Sequence, residues 1–188
     1  MAVGGFAFLL RYLAPLWSAV VALGAVLFNV LVLPRFGGKK LWREAETARG
    51  GSWGIILYPV RVLLLILVFH RRLEVAAAVW GVHPLGDGMA SRPGMALGRT
   101  KLPWNRKKSW MGSFAYVLFG TAGAAGLLLW TAPGRYQIAF AVIAGLATAL
   151  LGAAIESIPQ ELDDNISVPL LAGLLLFCIL LTEGRWEA

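Results

Sequence analysis

The sequence predicts an all-α protein, a polytopic integral membrane bundle of about six transmembrane helices. Two observations predict this class. Hydrophobic residues make up 59% of the 188 positions and charged residues only 14%, whereas soluble domains average about 25% charged residues. The apolar residues also form charge-free blocks of bilayer length, instead of the amphipathic stripes that a soluble core requires. The single cysteine, Cys178, excludes a disulfide within the chain.

Six apolar segments define the predicted helices, which we interpret as one transmembrane domain over residues 1–188. A helix needs roughly 20 apolar residues to cross a bilayer. In the fourth segment, Gly120, Gly123 and Gly126 leave a smooth face for close helix packing. The predicted spans cover residues 6–33, 54–69 (interrupted by Pro59), 75–98, a helix within 109–134, 136–155 and 165–182.

The third segment differs from the others because its apolar part, residues 75–85, is too short to cross a bilayer alone. We therefore predict a broken helix that continues through Gly86, Asp87 and Pro93 toward Gly98. Broken helices at membrane depth are tolerated only where the backbone faces protein or a water-filled cavity. We expect Asp87 to face such a cavity.

The net charge of +7 is distributed unevenly between the loops. Six spans place loops 34–53, 93–109 and 156–165 on one side, and that side collects most of the lysines and arginines. By the positive-inside rule this side is cytoplasmic and both termini lie outside. We prefer this explanation of the positive charge to nucleic-acid binding. The expected location is a bacterial inner membrane, with these loops in the cytoplasm.

A basic, glycine-rich block follows the apolar part of the third segment. Its one carboxylate, Asp87, can ligate a metal, its glycines let the backbone approach a ligand, and its cations can pair with phosphate oxygens. No P-loop motif is present. The block is typical of a site for a nucleotide phosphate and its metal. The candidate nucleotide-binding residues are Gly86, Gly88, Gly94, Gly98, Arg99, Lys101, Asn105, Arg106, Lys107 and Ser109, together with Lys108.

Structural alternatives exist for several of these residues. Asp87 could be a buried acid paired with Arg92, although ionisable groups at membrane depth are usually functional. For Lys107 we weigh phosphate binding and lipid-headgroup anchoring equally, whereas we favour phosphate binding for Lys108. The neighbouring His83 is interpreted as a hydrogen-bonded core group rather than a base.

An acidic block lies between the fifth and sixth segments, with four carboxylates in nine residues at Glu156, Glu161, Asp163 and Asp164. Oxygen ligands of this kind suit Mg²⁺, which usually takes one or two carboxylates plus phosphate oxygens. Alternatively, Asp163 or Asp164 caps the sixth helix. We favour metal binding, with Asp87, Asp163, Asp164 and Glu156 as the candidate ligands.

Three motifs, taken together and in this order, resemble the CTP-dependent lipid kinase family. That family includes dolichol, phytol and farnesol kinases and the CTP-dependent diacylglycerol kinase, and it is related to the phosphatidate cytidylyltransferases. The motifs are Gly86-Asp87-Gly88-Met89-Ala90-Ser91, Lys108-Ser109-x-x-Gly112-Ser113 and Glu156-Ser157-x-Pro159-x-x-x-Asp163-Asp164-Asn165-x-x-Val168-Pro169.

The resemblance implies a magnesium-dependent enzyme that uses CTP to phosphorylate a membrane lipid alcohol, such as a polyprenol, phytol, a dolichol-like alcohol or diacylglycerol. Matched motif by motif, Asp87, Lys108, Asp163 and Asp164 are the implied catalytic residues, and Asn165 is an implied nucleotide-binding residue. The sequence departs from the cytidylyltransferase-like pattern at Met111, where that pattern often has glutamate.

Two alternatives stay open. The same groups could serve cytidylyl transfer, in which a lipid phosphate attacks the α-phosphate of CTP. The chain could instead be a non-enzymatic small transporter or lipid-binding protein, with the glycine- and proline-containing third span lining a path. The expected partners are CTP and a lipid alcohol or lipid phosphate, without nucleic acid, and a homodimer is left open.

Overall fold

The structure, a computed structural model, describes residues 5–33, 35, 53–96, 100–158 and 164–183. Side chains are described throughout these ranges except at 53–55, 87, 90–96 and 164–167. The part of the chain described in this way is helical and contains no β-strand, which confirms the predicted all-α class. The helices are α1 (Phe6–Leu9), α2 (Pro15–Leu27, extended by a π-helical turn over Phe28–Val32), α3 (Trp53–Val68), α4 (Leu73–Ala96), α5 (Trp110–Thr131), α6 (Ile138–Ser157) and α7 (Asp164–Glu183).

The first predicted span is divided near its start. A short helix ends at Leu9, and α2 begins at Pro15. Ala14 is extended, with φ −61° and ψ 152°, because a following proline disfavours the helical conformation. Pro15 itself is well placed at the first helical position, where its missing N–H is not needed. The prediction of one uninterrupted span from residue 6 is therefore wrong in this detail.

The predicted broken helix is wrong as well, because α4 runs without interruption from Leu73 to Ala96 through Gly86 and Asp87. Pro59 likewise lies inside α3 and does not end it. A proline removes one backbone hydrogen bond, but neighbouring helices can keep such a helix intact at membrane depth. The glycines of α4 also serve helix packing.

Close packing between α4 and α5 depends on these glycines. A Cβ placed on Gly81 would lie 2.5 Å from the Gly123 carbonyl oxygen, and one on Gly86 would lie 3.2 Å from the Tyr116 carbonyl oxygen. The two backbones therefore leave no room for a side chain at Gly81 and would make a tight contact with one at Gly86, an approach that small residues permit in membrane bundles. Gly145 serves the same purpose between α6 and α5, since its Cβ would lie 3.0 Å from the Thr121 carbonyl oxygen.

The core lies around the first half of α4, where every residue from Glu74 to Val82 is buried. Helix α5 packs between α4 and α6, α7 packs on α6, α3 and α4, and α2 packs mainly on α3. Three of the described helices are long and apolar enough to cross a membrane: Pro15–Val32, Trp110–Thr131 and Ile138–Ser157. Shorter apolar helical stretches cover Ile56–Val68 and Val168–Glu183.

A polar cluster closes the end of the bundle where α4 begins. The Glu74 carboxylate, which is buried, lies 3.5 Å from Arg72 and 3.4 Å from Arg135. It also accepts a hydrogen bond from the Tyr136 hydroxyl at 3.3 Å. Burial, followed by the neighbouring Glu74 charge, raises the pKa of Tyr136 to about 12 from its ordinary value of 10.0. This cluster ties the α5–α6 turn to the start of α4.

Candidate functional site

The basic segment before α5 folds as a compact loop at the opposite end of the bundle. Lys101 and Ser109 pair as an isolated antiparallel bridge. The Leu102 N–H donates to the Lys108 carbonyl oxygen at 3.1 Å, and the Trp110 N–H donates to that of Thr100 at 3.2 Å. Leu102 is only 1% exposed, so it anchors the loop while the cations remain near its surface.

Two consecutive turns give the loop its shape, and the sequence explains both. The Asn105 N–H donates to the Leu102 carbonyl oxygen at 3.2 Å, with Pro103 at the second turn position that proline favours. The Asn105 side-chain oxygen then accepts from the Lys107 N–H at 3.1 Å. Asparagine commonly closes turns in this way. The second turn brings Lys108 back alongside Leu102.

The loop is docked on the end of α6, where the acidic block begins. Trp104 Nε1 donates to Ser157 Oγ at 3.2 Å, and Asn105 Nδ2 donates to the Ser157 carbonyl oxygen at 3.1 Å. Lys108 Nζ forms an ion pair with Glu156. The structure thus brings the predicted phosphate-binding lysine against a predicted metal-binding acid, 48 positions later in the chain.

The loop cations fall into two groups. Lys101, Arg106 and Lys107 are exposed, whereas the side chain of Lys108 is partly buried and points to Glu156. A partly desolvated cation binds an anion more strongly than a solvated one, so this environment is compatible with the phosphate-binding role of Lys108, which stays a prediction. Its neighbour Lys107 has the exposure expected of a headgroup contact.

Ser109 and Asn105 have structural partners. Ser109 is buried, and its Oγ accepts from the Gly112 N–H at 3.2 Å, so it caps α5. Asn105 uses both side-chain polar atoms to shape and dock the loop. The nucleotide-binding roles of these two residues stay predictions.

The remaining predicted site residues are described only in part. Gly86 is buried against Tyr116, and a Cβ added at Gly88 would have no neighbour within 4 Å among the described atoms. The backbone of Asp87 and Gly94 is helical in α4, and that of Asp164 and Asn165 opens α7. The side chains of Asp87, Asp164 and Asn165 lie outside the described part of the structure. Gly98, Arg99 and Asp163 lie outside the described residues altogether.

Among the described side chains there is no group of three or more histidine, cysteine or acidic residues that could hold a metal. Of the four predicted ligands, only the side chain of Glu156 is described, and it lies at the docked loop. The four ligands are all carboxylates, which fits the oxygen preference of Mg²⁺. The complete ligand set stays a prediction.

Sequence reasoning missed two docking residues. A tryptophan at position 104 of such a sequence is typical of an interfacial or packing residue, and Ser157 stands in the third motif without a role. Neither carries a signal for this contact, because the partner is more than 50 positions away. Their proximity to Asn105 and Glu156 in sequence is the single feature that could have drawn attention to them.

Comparison with curated proteins finds plant relatives named as phytol kinases. The chain is 36% identical to "Probable phytol kinase 2, chloroplastic" of Glycine max over 129 residues, 65% of this chain and 44% of that protein. It is 34% identical to "Probable phytol kinase, chloroplastic" of Triticum aestivum over 131 residues, 67% and 44% of the two chains. For "Phytol kinase 1, chloroplastic" of Arabidopsis thaliana the identity is 31% over 124 residues, 62% and 40% of the two chains.

The chain spans less than half the length of these relatives. Their names place them in chloroplasts and give no support to the predicted bacterial inner membrane. No family model and no solved structure matches the chain. Over about two thirds of its length, the similarity to phytol kinases confirms the resemblance to the CTP-dependent lipid kinase family that the three motifs predicted.

Proposed function

We propose that this protein phosphorylates the hydroxyl group of a membrane lipid alcohol, with CTP as phosphoryl donor and Mg²⁺ as cofactor. The observation that carries the proposal is the docking of the basic loop on the end of α6, through Lys108–Glu156 and Asn105–Ser157. This contact joins a cationic segment suited to phosphate with the beginning of an acidic segment suited to magnesium. The similarity to proteins named as phytol kinases supports the same reaction class.

Charge neutralisation is the task of the loop cations. Lys108 is held in place by Glu156, so little reorganisation is needed when a triphosphate arrives. Lys101 and Arg106 are exposed on the same loop and can contact the outer phosphate oxygens. Arg99 belongs to the same block and, like Lys101 and Arg106, is a second candidate after Lys108.

The acidic residues would hold the metal. Asp87, Asp163, Asp164 and Glu156 are the proposed ligands of Mg²⁺, which would offset the charge of the phosphate oxygens. Asp87 is also the first candidate to accept the proton of the lipid hydroxyl.

The lipid alcohol would enter from the bilayer, and its hydroxyl oxygen would attack the γ-phosphorus in line while CDP leaves. Phosphoryl transfer offers the protein little covalent chemistry, so its contribution is positioning and electrostatic stabilisation. Phytol is the first alcohol to test, because it is the substrate named for the relatives.

The test uses purified protein, Mg²⁺, mixed lipids including phytol, and CTP labelled at either the α- or the γ-phosphate. The proposal predicts that γ-label alone enters the lipid fraction. Entry of α-label would identify cytidylyl transfer to a lipid phosphate. No label in lipid from either nucleotide would contradict both reactions and favour a non-enzymatic membrane protein.

A further inference from the structure

His83 has a buried ring nitrogen that the proposed chemistry leaves unused. Its Nε2 is shielded from solvent and has no hydrogen-bond partner in the described part of the chain. The other histidine, His70, places Nδ1 3.0 Å from the Leu67 carbonyl oxygen. The prediction that His83 is a hydrogen-bonded core group is therefore wrong at Nε2. A buried polar atom without a partner costs free energy, which calls for an explanation.

The position of His83 along α4 connects it to the Gly-Asp motif. Asp87 follows four residues later, one helical turn away, and positions i and i+4 share a face of a helix. A group bound at the level of His83 would therefore be about 6 Å along the helix axis from the level of Asp87. A lipid hydroxyl bound at the level of His83 would then lie next to a CTP phosphate bound near Asp87.

Burial along α4 changes at this residue. Glu74 to Val82 are all buried, whereas His83 and Pro84 are partly exposed. Beyond them Leu85 is 45% exposed and Met89 is 37% exposed. Leu85 and Met89 lie on the side of α4 opposite His83 and Asp87, because successive residues are about 100° apart around a helix. His83 thus marks the end of the packed core along α4. A lipid hydroxyl can approach the ring where His83 and Pro84 are partly exposed.

The surroundings of the ring favour a neutral hydroxyl as the ligand. The Tyr116 ring stands edge-on to the imidazole, with ring centroids 6.4 Å apart and an interplanar angle of 84°. Gly86, one turn further along, is buried against the same tyrosine. A hydroxyl both donates and accepts a hydrogen bond, so it can pair with Nε2 in either tautomer of neutral imidazole.

We propose that His83 Nε2 hydrogen-bonds the hydroxyl group of the lipid alcohol and positions it for attack. The inference rests on the proposed function and names the residue that recognises the acceptor. His83 is a substrate-binding residue in this account, and the proton acceptor remains a carboxylate. The cost of the unpartnered nitrogen is relieved when the alcohol binds.

The test compares His83→Leu and His83→Gln with the wild-type protein, and His70→Leu is the matched histidine control. His83→Leu should be at least as stable as wild type without lipid, because it removes an unpartnered polar atom. It should raise KM for phytol about tenfold or lower kcat, with KM for CTP unchanged. His83→Gln retains a polar group near Nε2 and should recover part of the loss, and His70→Leu should match wild type.

Binding provides a readout that does not depend on turnover. Phytol in mixed micelles should raise the Tm of wild type more than a saturated hydrocarbon of equal length does, and His83→Leu should abolish this difference. Wild-type phosphorylation of phytol with an unchanged phytol KM in His83→Leu would overturn the inference and leave the proposed function standing. A Tm response to phytol that depends on His83, without any phosphoryl transfer, would contradict the proposed function and leave binding of the alcohol by His83 standing. A destabilised His83→Leu variant that keeps the phytol response would assign His83 a purely structural role.

Discussion

At the scale of single residues, Lys108 separates nucleotide binding from membrane anchoring. The side chain of Lys108 is partly buried. Lys108→Ala would remove its proposed charge-assisted contact with a CTP phosphate, and such contacts contribute about 1.5–3 kcal/mol. We expect a loss of roughly 10- to 100-fold in kcat/KM for CTP. Steady-state kinetics over a range of CTP concentrations measure this loss.

Lys107→Ala is the matched control, because Lys107 is adjacent and exposed. A headgroup contact is worth about 1 kcal/mol and is screened by salt, so we expect a small, salt-sensitive effect. Membrane insertion should be unchanged in both variants. Equal small losses that vanish at high salt would assign the whole loop to the lipid surface.

Tyr136, at the opposite end of the bundle, makes the stability of the folded protein depend on pH. Burial and Glu74 raise its pKa to about 12 in the folded protein, against 10.0 ordinarily. The folded state therefore holds the phenolic proton more tightly than the unfolded chain does. The resulting stability is complete below pH 10 and is lost as the pH rises toward 12.

Tyr136→Phe should flatten the stability profile between these two pH values, as followed by thermal unfolding in detergent. Tyr12→Phe is the control at an exposed tyrosine and should keep the wild-type profile. A Tyr136→Phe profile that falls as steeply as wild type would show that other groups govern alkaline unfolding.

The sequence could distinguish residues by their own charge and neighbours, and the roles of the two adjacent lysines stay predictions. The second motif includes Lys108 but not Lys107, and the structure gives the two lysines different exposure. The contacts of Trp104 and Asn105 with Ser157 could not be predicted, because they depend on how α6 approaches the loop. Likewise, the lack of a partner at His83 Nε2 depends on the packing around it.

At the scale of helices, the α4–α5 contact depends on glycines rather than on large apolar side chains. Gly81→Ala would place a Cβ 2.5 Å from the Gly123 carbonyl oxygen. Because backbone atoms cannot move aside easily, we expect a loss of about 1–3 kcal/mol in the free energy of unfolding. Unfolding in detergent measures it.

Gly126→Ala is the control on α5, since no atom of the described residues lies within 4 Å of an added Cβ there. Alanine is the better helix former, so this variant should be neutral or slightly stabilised. Equal stability of the two variants would contradict the close approach of α4 and α5.

Apolar blocks located the helices well, but not their interruptions. Gly86 and Pro59 were interpreted as breaks, yet both lie inside continuous helices. The interruption that does occur precedes Pro15. Glycine and proline weaken an isolated helix, whereas packing against neighbours can retain it. Sequence patterns report the first effect and not the second.

At the scale of the whole molecule, the charge asymmetry predicts that the basic loop is cytoplasmic. Thr100 is exposed on this loop, so Thr100→Cys in a Cys178→Ala background should resist an impermeant thiol reagent in intact cells. Gln137→Cys, exposed beside the opposite end of the bundle, should react readily. Labelling of Thr100→Cys without labelling of Gln137→Cys would reverse the orientation.

The central claim is that Asp87, the basic loop and the acidic block form one nucleotide and metal site. The most direct measurement is transfer of the γ-phosphate from CTP to phytol across a magnesium titration, in wild type, Asp87→Asn and Asp163→Asn. Glu161→Gln is the control, because it belongs to the acidic block but not to the proposed ligands. The account predicts that both aspartate variants fold in detergent and lose turnover at every magnesium concentration, while Glu161→Gln keeps it. Near-normal turnover of both aspartate variants throughout the titration would contradict the shared site.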